Sequence, residues 1–329
     1  MSLDGTRLRG PARFDEITVD SSTTAVDARF DGIVSFEDAD FGGEVTFNGT
    51  NFEETVRFAG TSFGSDVGFR DVDVANLRFE AESERYLVDC TDATLHRGML
   101  RTGSDGGPLF DLTRATVGDI RLRGVDGEPE QYTAYRLVLT NYDGFQFAEH
   151  SGLRESERSL EAFDLPEATE PDPNTLETTY LNAKNGASAV GDSVSEGEFF
   201  SRELTHRRAT HRKAGRWKEF TMNLLFEKTA DYGQSPYLVF LTSARMVAVF
   251  GLVFAALMVV FPSTATGLDG IYTGPFGVSL LSLEAFTTLV FGGANVPSQS
   301  LRLLGAIEGF FGAFLVALFL YALTQSVDR

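Results

Sequence analysis

The sequence predicts two chemistries in one chain, a solenoid of short β-strands in its N-terminal part and an α-helical membrane region in its C-terminal part. Three observations carry that prediction. Phenylalanines recur at a fixed interval between residues 30 and 79, glycines are scattered through the same stretch, and two long runs at 237–261 and 303–323 are almost free of charge. The near-zero mean hydropathy of −0.07 is therefore a blend: residues 1–235 are polar and acidic, and the two runs are apolar.

Within the solenoid, Phe36, Phe47, Phe58 and Phe69 are eleven residues apart, as are the interleaved Phe30, Phe41, Phe52 and Phe63, so the steps alternate six and five. Val34, Val45, Val56 and Val67 keep the same period, and the positions between are Gly, Asp, Glu, Thr, Ser and Asn. After Phe69 the spacing tightens to five, through Val74 to Phe79. A helix is excluded by Gly42, Gly43, Gly60, Gly64 and Gly68, each of which costs about 1 kcal/mol relative to alanine in a helix interior. Short strands and turns wound into coils stack the phenylalanines in one internal column, made from repeats too small to fold alone. Each phenylalanine is thus expected in the core. Beyond residue 80, LVDCTDATL, LFDLTRATVGDIRL and YRLVLTNYDGFQF still read as strands and turns, ending near His150.

The segments FEDADF, FGGEVTF, FEETVRF and FAGTSF resemble the pentapeptide-repeat family. That resemblance implies a right-handed β-helix over residues 1–150 in which the central residue of each five points into the core, with the six-residue steps a departure from the pattern. It also implies a surface for docking or sensing a protein partner.

Charge and composition narrow the function classes. The net charge of −19 argues against a nucleic-acid partner, which requires a surplus of Lys and Arg. Only four lysines occur, Lys184, Lys213, Lys218 and Lys228, and an acidic, lysine-poor surface fits either life in concentrated salt or an ordinary acidic protein. The single Cys90 excludes an intramolecular disulfide and a cysteine-based zinc set. His206 and His211 are five apart, poor geometry for two ligands on one helical face, and His96 and His150 are remote, so neither a metal site nor a cofactor is expected. No Ser/His/acid set or phosphate-cradling loop is visible, and no enzymatic activity is expected. The N-terminal MSLDGTRLRGPARF lacks the apolar core of a cleaved signal, so the solenoid is expected to stay on the side where it is made.

Residues 151–174 read as an acidic linker, its DLPEATEPDPN stretch holding three prolines and four acids. A collar rich in helix formers follows over 175–235, with Asp192 or Ser193 as the cap of its second helix. Its middle, RELTHRRATHRKAGRWK, gathers Arg202, Arg207, Arg208, Arg212, Lys213, Arg216 and Lys218. Three readings compete. Arg207, Arg208, Arg212, Lys213 and Arg216 contact anionic lipid headgroups before the first span, at about 1 kcal/mol each; or the patch pairs with the protein's own acidic β-helix; or it is a solvated helix face.

Residues 236–329 form the membrane region. The run back from Phe261 to Tyr237 is 25 residues long and broken only by Arg245, which can snorkel to an interface, and about 20 such residues cross the hydrocarbon core. LLGAIEGFFGAFLVALFLYAL, 303–323, is the second span, with one acid, Glu308. No Lys or Arg lies between Arg245 and Arg302, so the positive-inside rule puts both termini in the cytoplasm and the 263–301 loop outside. Within that loop GVSLLSLEAFTTLV, 277–290, is apolar but too short to span, the length of a re-entrant half-helix.

TTLVFGGANVP followed by LRLLGAIEGFFGAFLVALF resembles the two-transmembrane potassium-channel pore domain. The resemblance implies an ion filter of Thr287, Thr288, Leu289, Val290, Phe291, Gly292 and Gly293, with Pro297 beyond it, supported by Glu308, Gly309 and Gly312. It further implies monovalent cations as the permeant species and a homotetramer, since one subunit offers one half-helix and one filter strand. Val290 stands where the family has its first filter glycine, and Gly293 where an aspartate is usual. A β-branched valine resists the positive φ that turns carbonyls toward an axis, so a wider, less selective cation pore and a non-conducting relic both stay open. The order of parts, from repeat region through EGEFFSRELTHRR and YGQSP to a pore-like end, resembles that of known fusion proteins. Gly305, Gly309, Ala313 and Ala317, four apart, suggest close helix packing ahead of a gating hinge at Gly309 or Gly312. Glu308, an acid inside a span, is expected to serve the pore or to hydrogen-bond its loop. The expectation is a multi-pass cation-channel subunit; the alternative is a membrane-anchored scaffold.

Overall fold

A computed structural model of the chain describes all residues except 81–84, 104–106, 125–128, 156–159, 162–169, 269, 273, 289–295, 297 and 328–329. The chain divides into two compact units, Met1–Ala214 and Gly215–Arg329.

The first unit is a parallel β-solenoid of about six turns. Leu8 pairs with Phe30, Phe30 with Phe52, and Phe52 with Val74, each 22 residues further on, so two eleven-residue periods make one turn. The first turn has four short strands, Arg7–Leu8, Ala12–Arg13, Thr18–Val19 and Thr23–Thr24. The alternation of five and six then has a physical reason: the two step lengths build two kinds of corner. Each five-residue step carries a residue in the left-handed conformation two places after the inward side chain, at Gly5, Glu16, Asp27, Asp38, Gly49, Gly60 and Asp71. The N–H of that residue still bonds the next turn, as from Asp27 to the Asn48 carbonyl at 3.0 Å and from Gly49 to the Arg70 carbonyl at 2.8 Å. The six-residue steps between Phe30 and Phe69 contain no left-handed residue; the extra residue lets the chain round the corner with ordinary backbone.

Inside, the phenylalanines stack as a ladder. Phe30 lies 5.0 Å from Phe52 and Phe36 lies 5.1 Å from Phe58, each pair stacked with its rings nearly parallel, and all four are fully buried. The ladder starts before Phe30. Leu3, Phe14 and Ala25 continue one eleven-residue series toward the N-terminus, and Leu8 and Val19 the other, so apart from Phe14 the first turn is formed by smaller residues that a phenylalanine count passes over. From Asn51 onward two adjacent short sides merge into one continuous strand per turn, Asn51–Ala59, Asp73–Glu80, Thr94–Arg101 and Thr116–Arg123, stacked in parallel as one wide face.

A solenoid ends in an open cross-section whose core must be covered. Helices α1 (Ser151–Glu155), α2 (Pro173–Ala189) and α3 (Ser193–Lys213) follow the last strands, and Tyr180, Ala183, Ala187 and Phe199 join the solenoid core. Gly186 on α2 passes so close to Tyr142 that a Cβ there would sit 2.5 Å from the Tyr142 Cβ. Asp172 caps α2 by accepting from the N–H groups of Asn174 and Thr175, and Asp192, rather than Ser193, caps α3 by accepting from the Ser195 N–H at 3.1 Å. The 175–235 stretch is therefore divided: α2 and α3 close the solenoid, and α4 (Trp217–Ala230) falls in the second unit.

The second unit continues with α5 (Pro236–Val260), α6 (Pro275–Thr288) and α7 (Gln299–Val327). Pro236 at the first turn and Ser235, whose hydroxyl accepts from the Leu238 N–H, start α5. Residues 236–260 and 299–324 are long and apolar enough to cross a membrane, each holding an 18-residue stretch with a mean hydropathy of 2.2. The short α6 packs against both long helices, through Phe254, Leu281, Ala285 and Leu301 in one cluster and Val239, Phe286, Leu315 and Ala322 in another.

Candidate functional site

The residues that the sequence marks for chemistry in the second unit lie along α6 and α7. Thr287 and Thr288 end α6, exposed, with hydroxyls donating back to the Leu283 and Glu284 carbonyls of their own helix at 2.8 and 2.5 Å. Thr287 also lines an apolar cleft of about 440 Å³ between α5, α6 and α7, walled by Phe240, Val247, Phe286, Leu315 and Phe319. Leu289, Val290, Phe291, Gly292, Gly293 and Pro297 lie outside the described residues.

Glu308 on α7 is fully buried, and its contact is a side chain rather than a loop backbone. The Ser282 hydroxyl of α6 bonds Glu308 Oε1 and lies 2.9 Å from the Val247 carbonyl oxygen of α5, so one hydroxyl joins three helices. Glu308 Oε2 is buried with no hydrogen-bond partner among the described residues. Four residues on, Gly312 lets α7 pass close to α6: a Cβ there would sit 2.3 Å from the Phe286 carbonyl oxygen. Gly305 and Gly309 are also buried, but Ala313 and Ala317 are exposed, so the buried face of α7 runs through Glu308, Gly312 and Leu315 and does not follow the four-residue stripe to its end. Arg245 and Arg302 are exposed.

The basic collar separates by environment. Arg207 donates to Glu177 at 2.8 Å and to Glu203 at 2.5 Å, and Lys184 reaches the same Glu203 at 2.8 Å. Glu203 is 2% exposed, so this is an internal ion network between α2 and α3, and Arg207 is taken up by its own hairpin. Arg208 is half-buried, whereas Arg212, Lys213 and Arg216 are exposed at the end of α3 and the start of α4. Sequence spacing alone missed the role of Arg207; the i, i+4 relation of Glu203 and Arg207 is the signal that could have found it.

Two histidines are part of the fold of the first unit. His150 Nε2 accepts the Leu122 N–H at 3.0 Å, so its other nitrogen, 2.8 Å from the Gln146 carbonyl oxygen, carries the proton and donates to it. Burial pulls this imidazole below its ordinary range. His206 stacks on Tyr180 with ring centres 5.1 Å apart, and burial first, then the nearby Arg202, lowers it likewise. Burial pushes the Cys90 thiol up, away from reactivity. Among the described residues no three His, Cys, Asp or Glu side chains gather as a metal site.

The class that this architecture defines is a repeat-built β-solenoid joined to a helical unit. Residues 3–51 match the family described as Pentapeptide repeats (9 copies), which covers the first turns and reaches back to the Leu3 series. No curated protein and no solved structure matches the chain.

Proposed function

We propose that the chain is a subunit of a cation channel in the cytoplasmic membrane, assembled as a homotetramer, with the solenoid on the cytoplasmic side biasing or positioning the pore. The observation that carries this reading is the packing of a short apolar helix, α6, between two helices of spanning length, locked to them by the buried Ser282 and Glu308. A second support is exposure. Leu252, Val259, Phe276, Phe310 and Phe314 are more than half exposed in one chain, an amount of apolar surface that lipid and neighbouring copies would cover. The threonines at the end of α6 then precede the segment 289–293, where the sequence resembles an ion filter, and Gly312 keeps α7 against α6.

The competing reading is a membrane-anchored scaffold in which α5 and α7 only tether the solenoid, and Val290 in place of a filter glycine favours it. Val290→Gly separates the two. A conducting filter answers with changed selectivity or flux of monovalent cations in liposomes; a tether is indifferent to the substitution and conducts neither before nor after it.

A further inference from the structure

The wide face of the solenoid places like charges side by side. In the register of its four long strands, Arg57 is paired with Arg78, Arg78 with Met99, and Met99 with Arg121, while in the next outward column Glu80 precedes Arg101, which is paired with Arg123. Directly opposed like charges on a sheet destabilise it, yet here two such pairs lie on one face, Arg57 and Arg78 on the first two long strands and Arg101 and Arg123 on the last two, in a chain of net charge −19. Carboxylates relieve them only in part: Arg57 lies 3.6 Å from Glu37, Arg101 3.9 Å from Glu80 and Arg121 3.9 Å from Glu149. Arg78 and Arg123 are exposed and form no ion pair among the described residues.

We propose that this arginine face docks an acidic α-helix of a partner protein, lying along the solenoid axis. The spacing selects the helix. Neighbouring strands are about 4.8 Å apart, so Arg57 and Arg78 in one column, and Arg101 and Arg123 in the other, each present two guanidinium groups at about that interval, with Met99 standing between Arg78 and Arg121. Carboxylates three or four residues apart on a helix advance about 4.5–6 Å, whereas an extended peptide presents them about 7 Å apart and falls out of step. The width agrees: the two columns are two residues apart on each strand, about 7 Å, the footprint of one helix face. Asp119, beside the first column and paired in register with Arg97, and Glu80 within the second column keep the basic patch narrow, which suits one helix rather than a broad polyanion such as a duplex or an anionic bilayer. This names the surface and the partner chemistry for the solenoid's role in the channel reading, but the binding requires no ion flux and stands or falls separately from it.

The test uses the full chain in nanodiscs of zwitterionic lipid and a fluorescent helical peptide bearing Glu at every i and i+4 position of one face, with the same peptide carrying Gln as control. The Glu peptide is expected to bind, to lose affinity steeply with salt, and to lose at least about tenfold with Arg78→Gln/Arg123→Gln. Because those arginines oppose like charges, the double variant is expected to unfold at the same or a higher temperature, which separates lost docking from lost folding. No binding of the Glu peptide, equal binding of the Gln peptide, unchanged affinity in the double variant, or tighter arginine-dependent capture of anionic vesicles or duplex DNA overturns the proposal.

Discussion

Gly49 and Gly60 occupy corners where two constraints meet. Each is left-handed, at φ of 70° and 67°, and each lies beneath an aspartate of the preceding turn, so that a Cβ would come 2.3 Å from Asp27 Oδ1 and 2.2 Å from Asp38 Oδ1. Gly60→Val is expected to cost about 2 kcal/mol or more, chiefly from the strain of a β-branched residue at positive φ, with the Asp38 carboxylate forced to turn aside, and the midpoint of urea unfolding followed by far-UV circular dichroism reads it. His150 supplies a pH dependence at the same scale. Its folded-state pKa is lowered by burial, as is that of His206, so the unfolded chain binds more protons over the window between the folded value and about 6.5. The stability from keeping these rings neutral is complete above about pH 6.5 and is lost as pH falls from there through the folded values. His150→Gln should flatten the fall in unfolding midpoint between pH 7.5 and about 5.5; an unchanged slope would show that His150 titrates as it does when unfolded.

Among the elements, the phenylalanine ladder bears most of the solenoid's cohesion. Phe58 is fully buried and lies within 6.0 Å of Phe36, Phe47, Phe63, Phe69 and Phe79, rings drawn from three turns. Phe58→Ala is expected to cost about 3–5 kcal/mol, whereas Phe58→Leu, which keeps most of the volume, should cost less than half of that in the same denaturation assay. This ladder was legible because its period is set by sterics alone: an inward position in a narrow coil admits an apolar ring and little else. The first turn was less legible because Leu3, Leu8 and Val19 do the same work with smaller side chains. The closing helices were legible as helices, from their formers and from Asp192, but not as the lid of the solenoid. That role depends on Tyr180 and Phe199 meeting Phe147 and Tyr142 across a long stretch of sequence, and no local pattern encodes it. In the same way a basic run looks alike whether it faces lipid or an internal carboxylate; only the position of Glu203 decided for Arg207. Glu308 stood out as an acid in an apolar run, but its partner, 26 residues away on α6, did not.

For the molecule as a whole, two chemistries are joined at Ala214 and Gly215: a solenoid that buries its apolar residues within itself, and a helical unit that leaves many of its own exposed. In the proposed channel, lipid and further copies cover that exposed apolar surface. The central claim is that these helices conduct cations rather than merely anchor the solenoid. The most direct measurement is ion flux through the purified full chain in liposomes, comparing K⁺, Na⁺ and a large organic cation, with Gly292→Asp as a variant that places a charge and a side chain in the filter-like segment. The account predicts K⁺ flux in the native chain, exclusion of the large cation, and loss of flux in Gly292→Asp. Absence of flux from protein shown to be a folded tetramer, or flux indifferent to Gly292→Asp, would contradict it and leave a tethered solenoid.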